Sequence, residues 1–339
     1  MILQNRGDMP TLDILALGNA IVDILSQTDE GFLRDQRLAK GTMALIDEAR
    51  AEALYGLTGP ATVVSGGSAA NTAVGAAMLG ARTGFVGKVR DDELGRLFAH
   101  DLKAVGVAFD TPAAAEGPAT ARSFVLVTPD GERTMNTYLG ACTGLCPSDV
   151  AEDAAASASI VYVEGYLWDA PAAKEAIRRA VAAAHGAGNK VALTLSDPFC
   201  VDRYRDEFRT LLRDGSLDIL FANAHELISL YQAASLEEAL AGLREERALG
   251  VVTRSAEGAL VVSREGTEAV PAFPVERVVD TTGAGDLFAA GFLAGLARGF
   301  DGRSCARLGG LAAAEVITHI GARPQQDLMA LARREGLAG

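Results

Sequence analysis

Residues 278–292 read VVDTTGAGDLFAAGF, and this stretch governs the reading of the whole chain. Gly283-Ala284-Gly285 is a run of small residues, so the backbone can turn closely there. The helix that follows, LFAAGFLAGLARG, is apolar almost all round, which predicts burial, with Gly299 available to end it. Several N–H groups at such a start point one way, reinforced by the helix dipole, and form a pocket for phosphate. Asp286 is then puzzling, because an anion pocket does not obviously want a second anion. It is either a first-turn carboxylate that favours the dipole or a catalytic group, and the stretch alone leaves both open. Two rival motifs fail. Phe288 stands where a dinucleotide fingerprint needs a third small residue. The nearest P-loop candidate, Gly87-Lys88, has Arg82 in place of the first Gly and Val89 after the Lys.

Outward from this point, β-like runs alternate with helical ones. ILALGNAIVDIL (14–25) reads as strand, turn and strand, and ATVVSGG (61–67) as a strand ending in paired glycines. SAANTAVGAAML (68–79) reads as a helix with Ser68 as N-cap and Gly80 past its end. The rhythm changes at 121–141, where two alternating runs around Pro129-Asp130-Gly131 predict a β-hairpin in a small sheet outside the main core. From 160 onward the alternation resumes, with helices expected at about 201–213, 285–298, 303–319 and 325–336. Such alternation implies a mostly parallel, doubly wound sheet covered on both faces. Ligands bind beyond the carboxyl ends of its strands.

The 339 residues suffice for one large α/β domain, read as 10–339 after a loose tail at 1–9. With 31 Lys+Arg against 44 Asp+Glu, the net charge of −13 argues against a nucleic-acid or anionic-membrane partner. No apolar run is long enough to span a bilayer, and no signal-peptide pattern opens the chain. Cys142, Cys146, Cys200 and Cys305 complete no zinc spacing and read as free thiols of a cytoplasmic protein. HELIS (225–229) fails the H-E-x-x-H pattern at Ser229.

Three further strand ends carry polar groups. Gly66-Gly67 permits close approach to a ligand, and the Asn71 amide, one turn on, can reach a hydroxyl; a plain tight turn is the bland alternative. Asn19 follows a strand, and Asp23 is the only charge within 14–25. An ionised Asp there suits a sugar diol, since it accepts two hydrogen bonds. Asn223 and Glu226 can face one way toward hydrated Mg²⁺ and phosphates, or form a capping box.

Taken together, these features resemble the ribokinase-like (PfkB) family of carbohydrate and nucleoside kinases. GGSAANTAVGAAMLGARTGFVGKVRDDELG resembles its first signature and DTTGAGDLFAAGF its second, with the N-x-x-E pair matched by Asn223 and Glu226. The resemblance implies a three-layer α/β/α fold with a small β lid formed by about 21–47 and 118–141. It implies ATP and Mg²⁺, with Asp286 as catalytic base and Gly283, Ala284 and Gly285 as anion hole. Asn19, Asp23, Gly66, Gly67 and Asn71 match acceptor positions, and Asn223, Glu226, Thr253, Gly258 and Gly285 match ATP positions. Mg²⁺ would lie near Glu226, through water. Asp280 and Thr282 match part of a monovalent-cation site, for which K⁺ is the candidate. The chain departs from the pattern after VVT, where TRSAEG delays the usual early Gly to Gly258.

LGNAIVDI and IGARPQ (320–325) resemble adenosine kinases and their bacterial relatives, which implies a purine nucleoside acceptor, with a free sugar as close second. Phe32, Phe124, Tyr138 and Trp168 are the candidate wall of a purine slot, or else plain lid packing. A non-enzymatic binder on the same fold and a nicotinamide oxidoreductase are the readings from other classes. A monomer and a homodimer fit equally well.

Overall fold

The apolar runs ILAL and IVYVE lie in one sheet, and the alternating IVDILSQ lies in another. The computed structural model describes residues 12–338, so the expected tail at 1–9 lies outside the described residues. In chain order the strands are β1 (Ile14–Leu17), β2 (Ile21–Gln27), β3 (Met43–Leu45), β4 (Ala61–Ser65), β5 (Thr83–Val86), β6 (Ala121–Val127), β7 (Arg133–Tyr138), β8 (Ile160–Glu164), β9 (Lys190–Thr194), β10 (Ile219–Asn223), β11 (Leu249–Thr253), β12 (Ala259–Ser263) and β13 (Gly266–Val270). The helices are α1 (Glu30–Asp35), α2 (Glu48–Leu57), α3 (Ser68–Met78), α4 (Glu93–Ala104), α5 (Glu152–Ser157), α6 (Pro171–Gly186), α7 (Pro198–Arg213), α8 (Ala224–Tyr231), α9 (Leu236–Arg244), α10 (Ala284–Ala297), α11 (Gly302–Val316) and α12 (Leu328–Arg334).

The large sheet runs β13-β12-β11-β10-β9-β8-β1-β5. It is parallel from β11 to β5, and antiparallel where β12 and β13 extend it. β1, β5 and β8 are buried along their whole length, as strands covered on both faces must be. One face packs on α3, α10 and α11 and the other on α6 to α9, giving two separate apolar cores. This is the expected three-layer α/β architecture. α3 and α10 lie so close that a Cβ at Gly75 would meet Leu287 Cδ1 at 2.5 Å.

The small sheet runs β3-β7-β6-β2-β4. Its β6–β7 hairpin lies where alternation placed it. The sheet also takes in β4, beyond the 21–47 and 118–141 segments, and β13 is an edge strand the reading did not anticipate. β1 and β2, three residues apart, belong to different sheets, so the Gly18-Asn19-Ala20 turn carries the chain from the large sheet to the small one. β1 lies between β8 and β5, where the winding reverses direction. That switch point is where a doubly wound sheet opens a crevice for ligands.

Candidate active site

α10 starts as its sequence dictates. Gly283 is its N-cap, with φ of 78°, a left-handed conformation that glycine adopts without strain. A Cβ there would also meet Ala322 Cβ at 2.8 Å. The first N–H groups of a helix have no intrahelical acceptor. Here Ala284 N–H is diverted to Thr281 C=O at 3.2 Å, so the amides of Gly283, Gly285 and Asp286 are the donors at this helix start that could receive an anion.

Asp286 is half-buried in the first turn and is held from α3. Ser68 Oγ donates to Asp286 Oδ1 at 2.7 Å, and Asn71 Nδ2 donates to Oδ2 at 2.9 Å. Burial pushes the Asp286 carboxyl above the usual range, against the hydrogen bonds from Asn71 and Ser68 and the charge of Arg323. Ser68 is therefore not the N-cap of α3; Gly67 is, at φ 90°, and the Ser68 hydroxyl is released for Asp286. Asn71 Oδ1 is buried without a partner among the described residues, which leaves an acceptor for a bound hydroxyl.

Asp23 lies on the lid face turned toward this helix start. A Cβ at Gly66 would lie 2.2 Å from Asp23 Oδ2, so any larger residue there would displace this carboxylate. Burial raises the Asp23 carboxyl to about 7; Arg323 opposes this, Asp286 adds to it, and Arg133 opposes it.

Asn19 faces inward rather than into open space. Its backbone N–H and its Nδ2 both donate to Glu164 Oε1, at 3.1 and 2.7 Å, while Ala69 N–H donates to Oε2 at 3.0 Å. Glu164, at the end of β8, thus binds the β1 turn to the start of α3. Burial raises its carboxyl to about 7, against those backbone and side-chain donors. The sequence reading missed it, although a lone charge ending the apolar run IVYVE was a usable signal. Glu164→Ala would strand three donors in the interior. It is expected to cost at least about 2 kcal/mol in urea unfolding and to raise the acceptor KM more than it lowers kcat, because it disorders the acceptor turns rather than the phosphate pocket.

Arg323 was also missed. It donates to Ser65 C=O (3.0 Å), Ala70 C=O (3.1 Å) and Ser65 Oγ (3.2 Å), clamping the Gly66-Gly67 turn from the far end of the chain. Arg133 crosses from β7 to Asp280 and Thr282.

Asn223 and Glu226 form the capping box. Glu226 N–H donates to Asn223 Oδ1 (2.9 Å), Asn223 N–H to Glu226 Oε2 (2.9 Å), and Asn223 Nδ2 to Oε1 (2.6 Å). With both Glu226 oxygens engaged, the pair fits a metal only through water. Among the described residues no group of three or more His, Cys, Asp or Glu could hold a metal ion. Thr253 ends β11 beside Asn223, so both lie on the same strand-end rim. Gly258, at φ 83°, lets the β11–β12 turn pass β13, since a Cβ would meet Val270 O at 2.1 Å.

The proposed aromatic wall is not assembled. Phe124 and Tyr138 are buried with Ile24, Ala51 and Leu54 on the outer side of the lid sheet, with Phe32 against them. Trp168 packs on Phe208 in the main core, 5.3 Å between ring centroids. The plain packing alternative holds for all four.

A helix start of small residues, a carboxylate in its first turn and a second carboxylate facing it from the small sheet form an arrangement that a phosphotransferase acting on a hydroxyl can use. Comparison with known proteins agrees. The chain belongs to the pfkB family of carbohydrate kinases, whose pattern matches residues 51–328. An adenosine kinase from Sinorhizobium meliloti is 51% identical, with a TM-score of 0.91 over 96% of this chain and 99% of that one. A "probable sugar kinase" from Rhizobium etli is 50% identical, with a TM-score of 0.92 over 97% and 100%. The ATP-dependent ribose-1-phosphate kinase of Halopiger xanaduensis is 34% identical over 230 residues, 68% of this chain and 72% of its own length. No helix among the described residues is long and apolar enough to cross a membrane.

Proposed function

We propose that this kinase transfers the γ-phosphate of ATP to the primary (5′) hydroxyl of a ribonucleoside, adenosine foremost. The observation that carries this reading is the inner face of the lid. Paired residues of neighbouring strands share a face, so Asp23 stands with Leu25, Val64, Val125 and Met135. Met43 and Leu45 on β3 continue the same face and are 44% and 57% exposed, an apolar surface that the other described residues leave largely uncovered. A diol-binding carboxylate beside an aliphatic floor suits a ligand that is polar at one end and flat and apolar at the other. The similarity to the Sinorhizobium meliloti adenosine kinase supports the same choice.

In this reading the acceptor oxygen attacks the γ-phosphorus as the bond to the β-phosphate oxygen breaks. The hydroxyl proton passes to Asp286, and ADP departs. The amides of Gly283, Gly285 and Asp286 hold the transferring group, while Asp23 and Asn71 hold the ribose and Asn19 braces it through Glu164. ATP lies along the rim from Asn223 and Glu226 to Thr253 and Gly258. Glu226 would face Mg²⁺ through water, and the ion would supply neutralisation of the phosphate charge during transfer.

A sugar or sugar phosphate is the second reading. The Ser123 and Thr137 hydroxyls, 2.8 Å apart on the same face as Asp23, favour it, as does the similarity to a ribose-1-phosphate kinase. An ADP-formation screen over adenosine, inosine, guanosine, ribose, ribose 1-phosphate, fructose and 2-keto-3-deoxygluconate separates them. The expected result is the highest kcat/KM with adenosine. A clear preference for a free sugar or its phosphate would replace the nucleoside reading.

A further inference from the structure

The residues matched to a monovalent-cation site do not fit an added ion. One oxygen of Asp280 accepts Thr282 N–H at 3.0 Å, and the other accepts Gly321 N–H at 2.8 Å. That second oxygen is also ion-paired with Arg133 Nη2, while Arg133 Nη1 donates to Thr282 Oγ1 at 2.6 Å. The contact is well shielded: the side chains of Arg133 and Asp280 are 10% and 2% exposed. One guanidinium thus spans the side chains of both residues matched to the cation site. A second cation at the same carboxylate would be repelled at short range, where little solvent screens it.

We propose that Arg133 is the built-in cation of the phosphate loop, taking the place the family gives to K⁺, so that this kinase needs no monovalent ion. The charge requirement itself is physical. Asp280 lies close to amides that must receive an anion, and an uncompensated buried carboxylate there would oppose that anion and cost stability. K⁺ from solution meets the need in one way; an arginine carried on the lid meets it in another. Because Arg133 sits on β7, the compensation also ties the lid to the loop before α10. The inference rests on the kinase reading of this loop and not on the identity of the acceptor.

The test compares thermal unfolding midpoints and ADP formation in KCl, NaCl and choline chloride at one ionic strength, with ATP supplied as its Tris salt. For the parent chain, midpoints and rates are expected to coincide in the three salts. Arg133→Met uncovers Asp280 and is expected to gain a saturable rise in midpoint with K⁺ over choline. Arg133→Lys keeps a cation and should gain none, and adding Asp280→Asn to Arg133→Met should abolish the gain. A parent chain stabilised or activated by K⁺ over choline would overturn the proposal. So would a folded Arg133→Met variant indifferent to K⁺. If Arg133→Met does not fold, the parent comparison decides alone. The midpoints are read without an acceptor, so a wrong nucleoside assignment leaves this result intact.

Discussion

Asp286→Asn is expected to fold like the parent and to lose about 10²- to 10⁴-fold in kcat, the range a positioned general base supplies. The acceptor KM should move little, because the lost interaction is made in the transition state rather than on binding. The structure makes this substitution a clean one. The carboxamide oxygen of the variant can still accept from Asn71 Nδ2, and its NH₂ group can donate to Ser68 Oγ, so both observed partners stay satisfied. What disappears is the ability to take a proton. Stability should not fall. Burial holds the Asp286 carboxyl above its unfolded value. Its contribution to stability is therefore complete below the unfolded pKa and is lost as pH rises through the folded one. The variant, which carries no such charge, should match the parent below the unfolded pKa and gain on it once pH has risen through the raised folded one. ADP formation, and melting midpoints followed from acid to alkaline pH, check both halves. Turnover near that of the parent would leave Asp286 as a dipole-favouring carboxylate and nothing more.

Where the sequence was informative, the reason was local. The parallel core is legible because strands buried on both faces must be continuously apolar, as in ILAL and IVYV. The β6–β7 hairpin is legible from its Pro-Asp-Gly turn between alternating runs. The glycines at helix starts are legible because only a backbone need, here φ of 90° at Gly67 and 78° at Gly283, places them there. What stayed hidden acts across the chain. Glu164 holds Asn19 from 145 residues away, Arg133 reaches Thr282 across 149, and Arg323 reaches Ser65 across 258. No spacing rule connects such pairs before the fold exists. Ser68 misled for a related reason: its residue type suits an N-cap, but a stronger local fact, the left-handed Gly67, had already ended the turn. The aromatic wall failed on parity. Phe124 precedes Val125 on β6, so the two must point to opposite faces, and composition alone does not say which face meets the site. The apolar floor was present in the sequence as aliphatic and methionine side chains, which carry no conspicuous signature.

Asp23 bears the second large effect, and its pH dependence separates recognition from chemistry. Two hydrogen bonds from a diol require the ionised carboxylate. Burial raises this group to about 7 in the free chain, so near neutrality part of the population holds a proton there. Acceptor binding favours the ionised form and should release that proton. It follows that kcat/KM, which reports the free enzyme, falls as pH drops through about 7 and levels off above it. Asp23→Asn keeps the shape, accepts one hydrogen bond well instead of two, and should raise the acceptor KM by about 10- to 100-fold, the worth of a hydrogen bond to a charged group. It should also remove the part of the acid limb that belongs to Asp23, while the parts due to Asp286 and Glu164 remain. The stability prediction has the same sign as for Asp286. A carboxyl raised to about 7 contributes fully below its unfolded value and loses that contribution as pH passes through about 7. The Asn variant should therefore unfold at a higher temperature than the parent in alkali and not in acid. Weaker binding together with a firmer fold is the discriminating outcome, because a residue kept for packing would lose both. An Asp23→Asn enzyme with unchanged KM and an unchanged acid limb would remove the acceptor diol from Asp23, and with it the physical argument for a ribosyl substrate.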